Sequence, residues 1–114
     1  AAKQYEDGKY AGYYNVGPDD QDCFKTGKLV DTFVRHWGGD LKWIDKCDGG
    51  PHEANFLKLD CSKLKTTFGW QPRWNLDTAI EKTVEWTKCW SAFGDVRTCM
   101  DRQIEEFLNG KESL

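Results

Sequence analysis

No run of apolar residues in this chain of 114 residues approaches the ~20 needed to cross a bilayer. No signal-peptide pattern opens it, so neither a membrane nor a secretory reading is supported. There is no basic excess either: 16 Lys and Arg stand against 19 Asp and Glu, for a net charge of -3 and a pI near 5.3. That argues against a nucleic-acid partner, whose backbone is recognised by a basic face. Lys25, Lys28, Lys42, Lys46, Lys58, Lys63, Lys65, Lys82 and Lys88 are interleaved with acids and read as solvated faces. The cysteines Cys23, Cys47, Cys61, Cys89 and Cys99 are odd in number and contain no C-x-x-C pair. They fit neither a disulfide framework nor a zinc site, and free thiols in a reducing cytoplasm are the expectation. No G-x-G-x-x-G turn is present to hold a pyrophosphate at a helix N-terminus. Internal repeats and low-complexity tracts are also lacking.

The remaining composition is that of a folded domain. A hydrophobic share of 39% with 14% aromatics is a globular mix, and the length suits one small domain. Six tryptophans are many for this size. Those outside a core imply a surface that something else covers.

Residues 1–10 read as the last turns of a helix stopped by Gly8 and Gly12, with no capping residue ahead of it, as if the element were cut. Tyr13–Val16 is a short strand candidate ending in the turn Gly17-Pro18-Asp19-Asp20. Thr26 is placed to cap a helix with Leu29, Val30, Phe33, Val34 and Trp37 on its apolar face, closed by Gly38-Gly39. Leu41–Asp45 alternates as a strand does, and Asn55–Leu59 has strand-like content. A short helix begins at Asp60 and ends at Gly69. Asn75 caps the next helix, whose stripe is Ala79, Thr83, Trp86, Trp90 and Phe93, with Ile80 and Val84 beside it. After Gly94, a last helix aligns Val96, Met100, Ile104, Phe107 and Leu108. Cys89 and Cys99 fall within these helices as small core fillers. The expected fold is mixed α+β, richer in helix than strand.

This order of elements resembles the end of the extended short-chain dehydrogenases, and particular residues sharpen the resemblance. Tyr14-Asn15-Val16-Gly17 is similar to the family's Y-N-hydrophobic-G step. Leu59-Asp60-Cys61-Ser62-Lys63-Leu64, followed by Phe68-Gly69-Trp70-Gln71-Pro72, resembles its D-x-S-K…L-G-W-x-P run. Glu81–Trp86 looks like its terminal helix. Gly17–Asp20 together with Gly49–Ala54 resembles the branch of sugar-nucleotide 4,6-dehydratases that acts on CDP-glucose. The family's nucleotide-contacting arginine has no counterpart in that loop. The resemblance implies one helix-rich, carboxyl-terminal substrate-binding (lid) domain over residues 1–114, with the Rossmann sheet and NAD-binding domain outside this chain. It implies a parent lyase that uses NAD to oxidise the sugar at C4, eliminate water across C5 and C6, and return the hydride at C6. The catalytic Tyr-x-x-x-Lys pair belongs to the absent part. Turnover by this chain alone is therefore not expected, and no cofactor is expected within it.

Asp48–Glu53 is the candidate substrate site. Two glycines permit close backbone approach, and Pro51 fixes the entry to His52. His52 can donate to a phosphate or stack on a base; Glu53 can accept from ribose hydroxyls or a cytosine amino group. On spacing alone the segment reads as a connector with a hydrated His-Glu pair, and the resemblance makes it the ligand contact. Other groups have plainer readings. Tyr5-Glu6-Asp7-Gly8-Lys9 imitates the catalytic pair at a frayed helix end. Asp19 and Asp20 read as turn solvation and His36 as a cation at a helix C-terminus. Trp70, Arg73 and Trp74 fit a sugar platform or helix packing equally. Two function classes remain: the substrate-side part of a dehydratase, or a stand-alone binding module derived from its lid. The reading frame upstream of Ala1 separates them.

Overall fold

Local chemistry sets several of the helix ends in the computed structural model, which describes residues 1–46 and 58–110 and contains five α-helices among them. They are α1 (Ala2–Glu6), α2 (Thr26–Trp37), α3 (Ser62–Phe68), α4 (Leu76–Ser91) and α5 (Val96–Asn109), with 3-10 turns at Gly8–Tyr10 and Asp20–Asp22. Gly38 stops α2 at φ 76°, and its amide bonds the Val34 carbonyl at 3.0 Å. Gly69 closes α3 in the left-handed conformation that glycine takes without steric cost. Asn75 caps α4 by accepting from the Thr78 amide at 2.9 Å. Asp95 caps α5 by accepting from the amides of Arg97 and Thr98, both at 3.1 Å. Thr26 is not a cap: it is already the first helical residue, and Lys25 precedes it without a side-chain bond.

The expectation of a mixed α+β fold holds only for its helices. Among the described residues there is no strand. A strand must pair its backbone groups with a neighbour, and here side chains take that role. The Tyr13 carbonyl accepts from Lys63 Nζ at 3.0 Å, and Asn15 donates to the Asp60 carbonyl at 3.2 Å. Residues 41–45 are solvent-exposed on both alternating faces, Leu41 and Ile44 included. Of the third candidate, Asn55–Leu57 lies outside the described residues, while Lys58 and Leu59 belong to no regular element.

Helix α4 packs on both α2 and α5. On the α2 side, Asp77 accepts from Arg35 and from His36 Nε2, the latter at 3.1 Å. Lys88 Nζ reaches the Trp37 carbonyl at 2.6 Å. On the α5 side the helices run antiparallel in a ladder of facing residues. Lys82 pairs with Glu106, and Glu85 with Arg102 and with Gln103, the last at 3.0 Å. Cys89 faces Cys99. Spacings of three and then four residues recur on each helix, so a single face of each carries the ladder.

That register overturns the burial expected from the apolar stripes. Among the described residues only Cys61, Val84 and Cys99 are buried. Met100, Ile104 and Leu108 on α5 and Trp90 on α4 stay about half exposed or more, and Phe93 is 98% exposed. Phe93 adopts φ 54° in the turn between the helices, an unfavourable conformation for a bulky residue. The radius of gyration is 17.6 Å, against about 13 Å for a compact chain of this length. No helix among the described residues is long and apolar enough to cross a membrane.

The α2–α4 tie predicts a pH dependence. His36, with Arg35, holds the Asp77 carboxyl below its ordinary value. A lowered folded-state value confers stability above an unfolded pKa of about 4, and that stability is lost as pH falls through the lower folded value. Asp77→Asn is expected to lower the urea midpoint at neutral pH. The gap to the wild-type chain should narrow as the pH falls below the ordinary carboxylate range in the same titration.

Candidate functional site

The sequence-predicted contacts Pro51, His52 and Glu53 lie outside the described residues, as does Cys47. The segments that flank them are described, and each is fastened to a neighbouring element. On the incoming side, Trp43 Nε1 donates to Asp31 Oδ1 of α2 at 2.8 Å. The same indole lies near Gly27, where an added Cβ would meet its ring at 3.8 Å. The Trp43 side chain therefore lies along the first two turns of α2, although residues 41–46 form no strand. On the outgoing side, Lys58 pairs with Asp20 at 2.8 Å.

The turn at residues 17–20 sits against this outgoing segment. A Cβ on Gly17 would lie 3.4 Å from Cys61 Sγ and 3.5 Å from Leu59 Cβ, so the small residue allows close approach. Lys65 of α3 pairs with Asp19. The two turn carboxylates thus go to two separate lysines, and this divides what a shared acid-base site would have to combine. The Asp20 and Asp19 side chains raise the Lys58 and Lys65 ammonium groups, respectively, above the ordinary lysine value. Asp60 is lowered by hydrogen bonds from the Ser62 side chain and amide. Two motifs that carried the resemblance, Tyr14–Gly17 and Leu59–Leu64, are thereby neighbours in space across more than forty residues of chain.

The plainer readings of the remaining candidates fit the geometry. Asp22 accepts from the Leu76 amide at 3.1 Å and so completes the start of α4. His36 is taken up by Asp77. Arg73 donates to the carbonyls of Phe107 and Leu108 at 2.9 and 3.1 Å, covering the open end of α5. Trp74 meets Phe107 edge-on at 5.1 Å. Arg73 and Trp74 are thus packing residues, beside an open cleft of about 290 Å³ lined by Trp74, Ala79, Lys82, Thr83, Trp86 and Gln103. Two polar side chains of that cleft are committed elsewhere: Lys82 to Glu106, and Gln103 to the Lys82 carbonyl and Glu85. Tyr5 is 95% exposed on α1, while Lys9, in the following turn, pairs with Asp7 at 2.9 Å. Among the described residues no cluster suited to a metal ion occurs.

Sequence reasoning did not single out Asp31, Trp43, Lys58 or Lys65 as the residues that hold the flanks. Their partners lie 12, 12, 38 and 46 positions away, and no local pattern announces such pairs.

Comparison with known proteins agrees with the resemblance. Over 110 residues, 96% of this chain, it is 37% identical to the CDP-glucose 4,6-dehydratase of Salmonella typhimurium. Over 51 residues, 45% of the chain, it is 39% identical to the probable dTDP-glucose 4,6-dehydratase of Sinorhizobium fredii. The chain spans 31% and 14% of the lengths of those two relatives. No family model matches it. The chain is therefore similar, along nearly all of its length, to part of a sugar-nucleotide 4,6-dehydratase.

The paired lysines generate a prediction. The double substitution Lys58→Gln, Lys65→Gln should loosen the turn at residues 17–20. Amide exchange at Asp22 and Cys23, which bond the carbonyls of Asp19 and Asp20 at 2.8 and 3.2 Å, should then rise several-fold. A raised lysine value means that the tie holds below the unfolded pKa of about 10.4 and is lost as pH climbs through the folded one. The difference between variant and wild type should therefore persist throughout the neutral range.

Proposed function

We propose that this chain is the substrate-side part of a sugar-nucleotide 4,6-dehydratase that acts on CDP-glucose. The observation that carries this reading is the similarity, over nearly the whole chain, to a CDP-glucose 4,6-dehydratase. The motif order in the sequence supports it, and so does the spatial meeting of Tyr14–Gly17 with Leu59–Leu64. In this reading Pro51, His52 and Glu53 contact the nucleotide, and the flanking residues Trp43 and Lys58 are tied to Asp31 and Asp20. His52 donates to a phosphate or stacks on the base, and Glu53 accepts from the cytosine amino group or a ribose hydroxyl.

The exposed side chains of Trp90, Phe93, Met100, Ile104 and Leu108 are assigned to contact with the Rossmann part of a longer polypeptide. NAD, which the resemblance implies for such a protein, does not fit the residues of this chain, which contains no G-x-G-x-x-G turn. Neither the cofactor seat nor any oxidation step is assigned to it. Deoxysugar biosynthesis in the cytoplasm is the setting that a nucleotide-sugar substrate and free thiols suggest. A net charge of -3 argues against a nucleic-acid partner.

Titration of CDP and UDP into a longer polypeptide bearing this chain, followed by tryptophan fluorescence, tests the reading. CDP should bind in preference to UDP. His52→Ala and Glu53→Ala should each weaken CDP binding by about tenfold, the worth of one charge-assisted hydrogen bond. Preference for UDP, or unchanged affinity in both variants, would remove the assignment.

A further inference from the structure

The ladder between α4 and α5 ends on a pair of thiols whose chemistry the proposed function does not use. Lys82 meets Glu106, Glu85 meets Gln103, and the same register, carried one turn further along each helix, places Cys89 of α4 opposite Cys99 of α5. Both cysteines are free, Cys99 being buried and Cys89 partly exposed. The intervening turn is tight. The Gly94 amide bonds the Cys89 carbonyl at 2.9 Å, and a Cβ at Gly94 would stand 3.0 Å from Cys89 Sγ. Register and turn together place the two cysteines on facing sides of a short helix hairpin, the adjacency that bridge formation needs.

We infer that Cys89 and Cys99 form a reversible redox pair that closes into a disulfide between α4 and α5 when the chain meets a small-molecule disulfide. A sulfur of the pair, as thiolate, attacks one sulfur of the external disulfide, whose S–S bond breaks and releases one thiolate. The second cysteine loses its proton, attacks the mixed disulfide and expels the other external thiolate. Two cysteine thiols are oxidised to one disulfide and one external disulfide is reduced to two thiols, which carry away the two protons. Cys89 is the accessible entry point. Its partial burial and the neighbouring Cys99 push its thiol above the ordinary value, so closure should accelerate as pH rises above neutrality. This inference does not depend on the proposed substrate.

The test uses the whole chain and oxidised glutathione. After incubation, remaining thiols are blocked under denaturing conditions and the chain is digested with trypsin. The expected product joins the peptides Cys89–Arg97 and Thr98–Arg102, which are separate otherwise. It should exceed any bridge involving Cys23, Cys47 or Cys61 by about tenfold, reflecting the high effective concentration of facing thiols. Reduction with dithiothreitol should reverse it, and the oxidised chain should melt at a higher temperature than the reduced one. Cys89→Ala, at the partly exposed position, should abolish the bridged peptide and leave the helical circular dichroism unchanged. Stable glutathione adducts without a bridge would overturn the proposal, as would preferential bridging to another cysteine or no reaction at Cys89 and Cys99.

Discussion

Helix α4 joins the chain's two halves, with Asp77 binding Arg35 and His36 of α2 on one side and the Lys82–Glu85–Cys89 face meeting α5 on the other. Most of these ties are exposed and charged. Exposed ion pairs contribute little individually, because water screens them and long side chains lose entropy in forming them. Val84, at 3% exposure, is the one residue of α4 that is fully buried. A hub held by charge and little buried surface gives a defined geometry without a large reserve of stability. The accessible area of 9685 Å² points the same way, against roughly 6,400 Å² for a folded monomer of this mass.

From that constraint follows the placement of the apolar residues. The polar rungs orient α5 with Cys99, Gln103 and Glu106 toward α4, and this leaves Met100, Ile104 and Leu108 turned away. Burying the exposed half of each of those side chains would be worth on the order of 1 kcal/mol. A partner that covered them would therefore stabilise the fold by linkage. The same helix hairpin presents Phe93 at its tip in a conformation the residue does not favour. Such strain is tolerable where a contact elsewhere compensates for it.

Features decided within a few residues were legible in the sequence. Gly38, Gly69 and Asn75 act where their backbone and side-chain chemistry places them, and four of the helix ends follow from them and from Asp95. Features decided by a distant partner were not. Tyr13–Val16 and Leu41–Asp45 have strand-like patterns, but a strand exists only with a ladder beside it. The stripes of α4 and α5 were correctly periodic, yet periodicity does not reveal whether a face meets the chain's own core or another surface. The ties Asp31–Trp43 and Asp19–Lys65 link residues whose pairing no local spacing encodes. For the candidate site, the flanks became visible only in three dimensions, while Pro51, His52 and Glu53 are known from the sequence alone.

The proposed surface shared with a Rossmann part would tie these observations together, and radical footprinting of side chains tests it directly. Trp90, Phe93 and Met100 are oxidisable and exposed in this chain. Their labelling would be compared between the chain alone and a longer polypeptide that carries it together with a Rossmann part. The account predicts that labelling of all three falls by about tenfold in the longer protein, as expected when an apolar patch is buried in an interface. Equal labelling in both would contradict it.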